Sequence, residues 1–375
     1  MISNYRKSKY PGGTVIKLNI PETWGVDKST PNSLIPPDRY VNIHYQCVDS
    51  ITFSVDWGDG TVEEINHTKN EVGEYSKLEH TYSRGDTYSI ELYGINNHEF
   101  ILGSGTRTVY SGYDSLDSCL MFDPSISDYY QLLCNCLVGV VIGDGISTAS
   151  SFHESANGKV EYYEFNPSKD PSDELFSEYW KFNKIPNIFF QYNYACDYVE
   201  IPRYIQHIGN SVFQYSKFST IKLNEGLKSI GTGAFRYFYM PLGELTLPST
   251  VETIGSGAFS YNYGAYIYKF DFSKTKITVL NSDMFVEDPG LQEILLPHTL
   301  TSIGSNVCKN CSSLRRITCL NMTAPTLSAS SFTNMSTQSL LSNLLELCVP
   351  KGATGYDAGE WKTQLLDKGW KLKYI

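Results

Sequence analysis

The sequence is poor in charge, contains few histidines and lacks any long apolar run. Charged residues make up 19% of its 375 positions, below the usual share of about a quarter. No stretch approaches the roughly 18 apolar residues of a membrane-spanning helix, so none is predicted. Asp and Glu outnumber Lys and Arg 40 to 30, and the net charge of −10 repels nucleic acid and anionic headgroups. We therefore expect no nucleic acid partner and no membrane span.

Motifs for catalysis are missing as well. The seven histidines include no H-E-x-x-H pair, and the sequence has neither a G-x-S-x-G nucleophile elbow nor a G-x-x-x-x-G-K-[ST] phosphate loop. These absences exclude the commonest hydrolase and nucleotide-binding signatures. The sequence therefore predicts a non-catalytic protein without a cofactor. An enzyme with a site between residues 96 and 184 remains the alternative.

The nine cysteines are odd in number and scattered from Cys47 to Cys348, which does not fit a secreted disulfide framework. We expect most of them to be reduced and buried. Cys308 and Cys311 form the one C-x-x-C pair, but a zinc site needs a second pair. We interpret this pair as packing residues, with metal or redox chemistry as the alternative.

Residues 1–38 have a composition that forbids a long helix. The interrupting residues are Pro11, Gly12, Gly13, Pro21, Pro31, Pro36 and Pro37. The sequence predicts an extended N-terminal arm, either free in solvent or laid against a partner. The basic start of this segment has no apolar run behind it, so we expect no signal peptide.

Residues 39–95 alternate apolar and polar side chains, as strands do. Three motif parts follow in order: Trp57-Gly58-Asp59-Gly60 after a strand, His80-Thr81-Tyr82, and Gly85-Asp86-Thr87-Tyr88 before another strand. Together they resemble the polycystic kidney disease (PKD) domain, with its W-G-D-G, H-x-Y and G-x-Y signature. The resemblance implies an immunoglobulin-like β-sandwich that serves as a spacer or protein-contact module.

Two carboxylates in this motif offer a possible cation site. Asp56 and Asp59 flank the glycine turn, and Ca²⁺ prefers carboxylate oxygen. The interpretation that we favour is that both shape the turn by accepting hydrogen bonds from backbone amides. Likewise, we interpret His80 as a packed sandwich residue and not as a base.

The second half of the sequence repeats every 22–25 residues. The dipeptide Ile-Gly recurs at 208–209, 230–231, 254–255 and 303–304, and residues 279–285 form a degenerate copy. The residues four positions after each Gly are Phe213, Phe235, Phe259 and Cys308, and Phe190 marks an earlier copy. A single unit cannot bury its apolar edge, so we expect stacked units, a parallel sheet, and interior columns of Ile and Phe. The Gly is expected to form a tight turn.

The stretch from Leu245 to Phe259 reads L-x-L-P-x-x-V-x-x-I-G-x-x-A-F. It resembles the BspA-like leucine-rich repeat family, and Tyr356 and Trp361 fit the closing cap of its arrays. The predicted fold is therefore mainly β, an immunoglobulin-like β-sandwich followed by a leucine-rich-repeat solenoid with a parallel β-sheet. Residues 185–375 form the solenoid with its C-terminal cap, and residues 96–184 form one or more divergent first repeats with an insertion.

In several repeats a tyrosine lies two positions after the phenylalanine of the Phe column, and these tyrosines suggest a binding surface. The candidate binding residues are Tyr192, Tyr215, Tyr237, Tyr239, Tyr261 and Tyr263. Tyr gives a large contact area at low entropic cost, which suits protein or glycan recognition. Stacking without any ligand would produce the same column, so both interpretations stay open.

Both resemblances imply binding rather than catalysis. BspA-like repeats resemble bacterial surface adhesins, for which an export peptide is expected, and none is read at Met1. We therefore predict a bacteriophage virion-associated protein, which attaches to other virion proteins through its N-terminal arm and presents its repeats to a protein or glycan. The alternative is a bacterial cell-surface adhesin.

Overall fold

Alternating apolar residues place strands where the sequence predicts them in the first part of the chain. Val41 and Ile43 lie in one strand, Phe53 and Val55 lie in the next, and all four side chains are buried. Between these strands and the following ones stands the predicted glycine turn, where Gly58 and Gly60 adopt positive φ angles.

The computed structural model describes part of the chain and divides it into two units, residues 1–199 and 200–375. The residues that it describes are 10, 12–20, 40–71, 76–95, 98, 100–102, 137–143, 146–149, 162–165, 167, 169, 171–172, 174, 177, 180–187, 189–191, 193–194, 196, 198–239, 243–262, 267–333, 335 and 345–375.

Strands account for most of the regular structure in the first unit. They are β1 (Thr14–Ile20), β2 (Tyr40–Cys47), β3 (Ile51–Asp56), β4 (Val62–His67), β5 (Ser76–Thr81), β6 (Asp86–Tyr93), β7 (Phe100–Leu102), β8 (Leu137–Ile142), β9 (Ile146–Ala149), β10 (Tyr162–Phe165) and β11 (Lys184–Ile185). One sheet has the order β10-β8-β1-β6-β3-β4 and another the order β5-β2-β7-β9. Aromatic rings pack between them: the Phe53 ring of the first sheet lies 5.5 Å from Tyr45 and 5.4 Å from Phe100 of the second.

The extended-arm prediction is wrong for residues 14–20. They form β1, which lies inside the larger sheet and pairs antiparallel with β6 on one side and with β8 on the other. Val15, Ile16 and Leu18 are buried there, which a free arm would not allow. Of the remaining predicted arm, only residues 10, 12 and 13 lie within the described part of the chain.

The predicted limits of the sandwich, 39–95, are too narrow for the same reason. Strand β8, predicted to be part of a divergent first repeat, and β10, predicted to lie in its insertion, belong to the larger sheet. Strands β7 and β9 belong to the smaller one. The buried side chains of Val140 and Ile142 in β8 add to the core of the first unit. The rest of the insertion, predicted over residues 153–184, lies partly outside the described residues.

Short parallel strands recur along the second unit. They are β12 (Tyr198–Ile201), which spans the boundary between the units, β13 (His207–Ile208), β14 (Thr220–Leu223), β15 (Ser229–Ile230), β16 (Gly243–Thr246), β17 (Thr253–Ile254), β18 (Ile267–Asp271), β19 (Val279–Leu280), β20 (Glu293–Leu296), β21 (Ser302–Ile303), β22 (Arg316–Cys319), β23 (Thr326–Leu327), β24 (Glu346–Val349) and β25 (Lys371–Tyr374). The longer strands form a parallel sheet in the order β16-β18-β20-β22-β24-β25, and the two-residue strands form a second parallel face. This alternation is the predicted solenoid.

The predicted interior columns are confirmed. Ile230 pairs in register with Ile208 and Ile254, and Leu280 of the degenerate copy pairs with Ile303. The Phe column is stacked and buried: ring centroids lie 4.9 Å apart from 213 to 235, 5.3 Å from 235 to 259 and 6.2 Å from 259 to 285. Each buried ring contributes roughly 1.5–3 kcal/mol, so the column by itself can hold neighbouring coils together.

The glycine after each isoleucine has a different role from the predicted turn. A Cβ on Gly231 would lie 2.4 Å from the backbone of Gly209, and one on Gly255 would lie 2.3 Å from the backbone nitrogen of Thr232. Neither residue is among those with positive φ. Glycine is therefore needed because consecutive coils touch backbone to backbone at this point.

The C-terminal segment packs against the last coil of the array. Helix α1 (Gly359–Gln364) and a 3-10 turn (Leu366–Lys368) precede the last strand, β25. The buried Trp361 of α1 donates a hydrogen bond from Nε1 to the carbonyl of Pro325 at 2.7 Å, and the Tyr356 hydroxyl donates to the carbonyl of Asn321 at 3.1 Å. These bonds attach the cap to the final coil.

Candidate binding surface

Five coils of the second unit turn through two left-handed residues, four positions apart. The first positions are Ser211, Gly233, Gly257, Asp283 and Asn306, and the second positions are Tyr215, Tyr237, Tyr261, Glu287 and Asn310. Backbone hydrogen bonds between equivalent turns keep the coils aligned, such as those from the Tyr215 nitrogen to the Arg236 carbonyl and from the Tyr237 nitrogen to the Ser260 carbonyl, both 3.1 Å. The turns therefore repeat at the spacing of the strands.

Three tyrosines at the second position form a stack, which we call the tyrosine ladder: Tyr215, Tyr237 and Tyr261. The first two rings are 4.6 Å apart and inclined by 6°, and the next two are 4.9 Å apart and inclined by 29°. All three side chains are half-buried. Their φ angles of 57°, 54° and 62° are unusual for a bulky residue.

Arg236 adds a positive charge to the tyrosine ladder. Its guanidinium carbon lies 4.7 Å from the ring centroid of Tyr261 and 5.2 Å from that of Tyr237. Cation–π attraction of this kind contributes about 0.5–1 kcal/mol at exposed sites. The ladder therefore combines aromatic edges with one fixed cation.

The other predicted binding residues do not join the ladder in the described part of the chain. Tyr239 follows Tyr237 by two residues, forms a parallel bridge with Lys217 and is 44% exposed. Tyr192 and Tyr263 lie outside the described residues. Phe238, between the two tyrosines, is buried and belongs to the core.

The outer face of the long sheet carries a charge ladder that the sequence patterns above do not predict. In register across successive strands stand Lys269, Glu293, Arg316, Glu346 and Lys371. Arg316 bridges two of the acids, with Nη1 3.3 Å from Glu293 and Nη2 2.9 Å from Glu346. Lys373 also pairs with Glu346, and the two cations lower the pKa of that carboxyl.

Because the charges alternate in sign from strand to strand, charged side chains on this face pair with one another. Opposite charges facing each other on neighbouring strands stabilise the pairing, whereas like charges would destabilise it. The column next to it carries Asp271, Leu295 and Thr318, which share no common chemistry. Aligning the repeats strand by strand, instead of on Ile-Gly, would have revealed the ladder.

The two carboxylates of the glycine turn bind backbone. Asp56 Oδ1 accepts a hydrogen bond from the Gly58 nitrogen at 2.9 Å, and Asp59 Oδ1 accepts one from the Thr61 nitrogen at 2.9 Å. Asp59 Oδ2 also lies 2.8 Å from His80 Nε2. Burial raises the pKa of Asp59, but the bonds from His80 and Thr61 outweigh it, and the pKa lies below its ordinary value. This is the turn-shaping arrangement that the sequence favours over Ca²⁺.

We next consider metal binding and thiol reactivity in the described parts of the chain. No group of three or more His, Cys, Asp or Glu side chains there is arranged to hold a metal ion. Cys308 and Cys311 are buried free thiols, and Cys311 Sγ donates to the carbonyl of Phe285 at 3.0 Å. Burial raises the pKa of Cys308 above its ordinary value, which disfavours the reactive thiolate. Over the same described residues, no helix has the length and apolar character needed to cross a membrane.

The fold defines the class first: a repeat protein whose coils form a parallel β-solenoid. The family model of the BspA type leucine rich repeat region then matches six copies, over residues 183–315 and 238–340. Residues 183–340 are therefore similar to BspA-type leucine-rich repeats. No curated protein matches the chain.

Solved leucine-rich repeat structures match the chain at low identity. A leucine-rich repeat protein from Eubacterium ventriosum is 15% identical, with a TM-score of 0.36 and 58% of each chain covered. A leucine rich cell surface protein from Faecalibacterium prausnitzii is 19% identical, with a TM-score of 0.32 and 56% of this chain and 63% of that chain covered. The pneumococcal vaccine antigen PcpA is 15% identical, with a TM-score of 0.31 and coverages of 64% and 68%. The chain thus spans less than two thirds of the length of the first two of these proteins.

Proposed function

We propose that the chain is a non-catalytic, cell-surface binding protein that recognises a protein or glycan through the tyrosine ladder. In this proposal the solenoid presents the ladder, and the sandwich of the first unit is a PKD-like spacer. The observation that carries the proposal is the backbone conformation of Tyr215, Tyr237 and Tyr261.

Left-handed backbone costs about 1–3 kcal/mol for a residue of this size. Glycine or asparagine avoids most of that cost, and Asn310 stands at the equivalent position two coils after Tyr261. Coil stacking therefore does not require tyrosine at this position. Strain of this kind concentrates at functional sites, so we infer that the rings are retained for what they contact outside the chain.

The PKD-like assignment rests on how the three motif parts meet. Trp57 is buried and stacks on His80 with centroids 4.7 Å apart, and the Tyr82 hydroxyl donates to the Trp57 carbonyl at 2.8 Å. Tyr88 then stacks on Tyr82 at 3.8 Å. Each of these four rings of the signature is thereby used inside the fold, which suits a spacer better than a reactive site.

The cell-surface location follows the adhesin-like character of BspA-like repeats, six copies of which match the chain. The virion-associated hypothesis depends on the first residues of the chain alone, and these do not decide the location. We therefore prefer the surface alternative. Protease treatment of intact cells that produce the chain tests this location: loss of the solenoid with cytosolic markers intact supports it, and full protection contradicts it.

Binding is tested with the full chain on immobilised extracellular proteins and on glycan arrays. We expect retention by at least one of these classes and its loss in the triple variant Tyr215→Asn, Tyr237→Asn, Tyr261→Asn. Lys222→Ala on the sheet face is the matched control and should bind like the wild type. Absence of binding to both classes, or equal binding by the triple variant, would contradict the proposal.

A further inference from the structure

The tyrosine ladder has a fixed period along the solenoid. Its rings repeat at 4.6 and 4.9 Å, because each coil contributes one ring and coils stack at the spacing of neighbouring strands, about 4.8 Å. A ligand that contacts several rings must therefore run along the solenoid axis and repeat at this distance or at a whole multiple of it.

Both faces of the central ring, Tyr237, are already covered. Tyr237 stacks between Tyr215 and Tyr261, and the Arg236 guanidinium lies over Tyr237 and Tyr261. At the centre of the ladder a ligand therefore meets ring edges, not ring faces. The edge of an aromatic ring is its electropositive part, so it favours electronegative atoms such as ether and hydroxyl oxygens.

Small polar residues begin the same turns. Asn210, Thr232 and Ser256 precede the left-handed positions in successive coils and lie at the protein surface. They lie in register with the ladder, since the Ser211 nitrogen donates to the Thr232 carbonyl at 2.9 Å and the Gly233 nitrogen donates to the Ser256 carbonyl at 3.0 Å. The turn edge thus offers hydroxyl and amide groups at the same period as the aromatic edges.

The ring spacing of the tyrosine ladder and the net charge of the chain favour some linear polymers as ligands over others. A DNA strand repeats about every 3.4 Å and carries a charge that the net charge of −10 repels. An extended peptide presents side chains on one face about every 6.6 Å, which falls out of step with the rings after one coil. An extended β-1,4-linked glycan is uncharged when unmodified, is rich in ether and hydroxyl oxygens, and advances by close to one strand spacing per sugar. Because alternate sugars are turned over, equivalent groups recur at every second coil, in step with Tyr215 and Tyr261.

We infer that the tyrosine ladder binds an extended β-1,4-linked polysaccharide along the solenoid axis, with one sugar per coil. This inference deepens the proposed function and depends on it. Arg236 and the polar residues at the turns add hydrogen-bond donors beside the chain of sugars. The α-1,4-linked isomer, which coils and does not keep this repeat, is excluded by the same geometry.

Titration calorimetry of the full chain with cellohexaose and chitohexaose tests the inference, with maltohexaose as the matched α-linked control. We expect at least one β-linked hexaose to bind about tenfold or more tightly than maltohexaose. Affinity should rise from the disaccharide to the tetrasaccharide as the number of contacted coils increases. Tyr237→Asn should weaken binding by about tenfold, the size of effect found for a central contact residue.

Two variants separate binding from folding. Tyr268→Asn removes a 44% exposed tyrosine outside the ladder and should leave affinity unchanged. Tyr215→Asn, at the end of the ladder, replaces Tyr237→Asn if the latter does not fold. Equal binding of α- and β-linked hexaoses, or no loss of affinity in the ladder variants, overturns the inference.

Failure of the inference is distinguishable from failure of the proposed function. A protein ligand whose binding needs the ladder, with no β-linked glycan bound, overturns the polysaccharide and leaves the binding role. A dimer in light scattering that Tyr237→Asn dissociates also overturns it, because a second copy then covers the ladder. Absence of every ligand overturns both.

Discussion

Asp288 occupies the position in its coil that Asn262 holds in the coil before it, three residues after a stacked phenylalanine. Asn262 is satisfied there: Oδ1 accepts from the Phe238 nitrogen at 2.8 Å, and Nδ2 donates to the Phe259 carbonyl at 2.8 Å. Within the described part of the chain, neither carboxyl oxygen of Asp288 has a hydrogen-bond partner of good geometry. Burial raises the pKa of Asp288 to about 7, although the backbone N–H groups of Gly290 and Leu291 partly offset it.

We predict that Asp288→Asn stabilises the protein at neutral pH. The folded state holds the proton of Asp288 more tightly than the unfolded state, in which the carboxyl has its ordinary pKa of 3.8. The contribution of Asp288 to the free energy of unfolding is therefore fully present below about pH 4, and it is lost as the pH rises through about 7. Removing this loss should add about 1–3 kcal/mol to the free energy of unfolding at pH 7.5, measured by urea denaturation.

The reciprocal variant is the control. Asn262→Asp should destabilise the protein progressively as pH rises, because it places a second carboxyl at a buried position and removes the donor to Phe259. The interpretation of Asp288 fails if Asp288→Asn shows the same dependence of stability on pH as the wild type between pH 5 and 8.

The repeats were predictable because their side chains mark every coil. Ile230, Phe235 and Ile254 lie at fixed intervals, and the interior columns follow directly from stacking equal units. Even the degenerate copy at 279–285 could be placed by interval alone. The left-handed tyrosines could not be foreseen, since local preference excludes a bulky residue from that conformation and only the neighbouring coils hold it there.

We predict that Gly231→Ala severely destabilises the solenoid. The added Cβ would lie 2.4 Å from the backbone of Gly209. Neither coil can make room for it unless the two coils move apart. We expect a loss of about 3 kcal/mol or more in the free energy of unfolding, measured by urea denaturation.

Gly233→Ala, two residues away, is the matched control. Gly233 has a φ of 60°, but the nearest atom to an added Cβ is 3.6 Å away. Only conformational strain remains, and we expect a loss of about 1 kcal/mol. Equal losses for the two variants would contradict the role assigned to backbone contact between coils.

Strand β1 and the charge ladder were missed for a shared physical reason. Both depend on partners far away in sequence: Ile16 pairs with Ile90 and Val140, and Arg316 pairs with Glu293 and Glu346. The prolines that flank β1 dominate the local pattern. Only the alternation of Ile16 and Leu18 with Lys17 and Asn19 could have signalled a strand.

We predict that Arg316→Glu lowers the melting temperature more at low salt than at high salt. The change places three carboxylates in a row, since Arg316 stands between Glu293 and Glu346. We expect a decrease of about 2–4 °C at low ionic strength, largely removed by about 1 M salt.

The neighbouring Arg315→Glu is the control. Arg315 contacts Glu293 only at 4.0 Å, so the same charge change there should have a smaller, similarly screened effect. A salt-independent decrease for Arg316→Glu would indicate a packing defect in place of charge repulsion.

The closing cap yields the last prediction: Trp361→Ala should release the C-terminal coils before the rest of the solenoid. The variant loses the bond from Nε1 to the Pro325 carbonyl and the edge contact with Tyr356, whose centroid lies 5.0 Å away. Truncating a buried Trp costs about 3–5 kcal/mol. Because each coil contacts only its neighbours, hydrogen exchange should accelerate first in β22, β24 and β25, while β13, β15 and β17 keep their protection. Trp361→Phe, which retains part of the packing, should show a smaller effect of the same kind, and uniform acceleration along all coils would mean that the cap does not act locally.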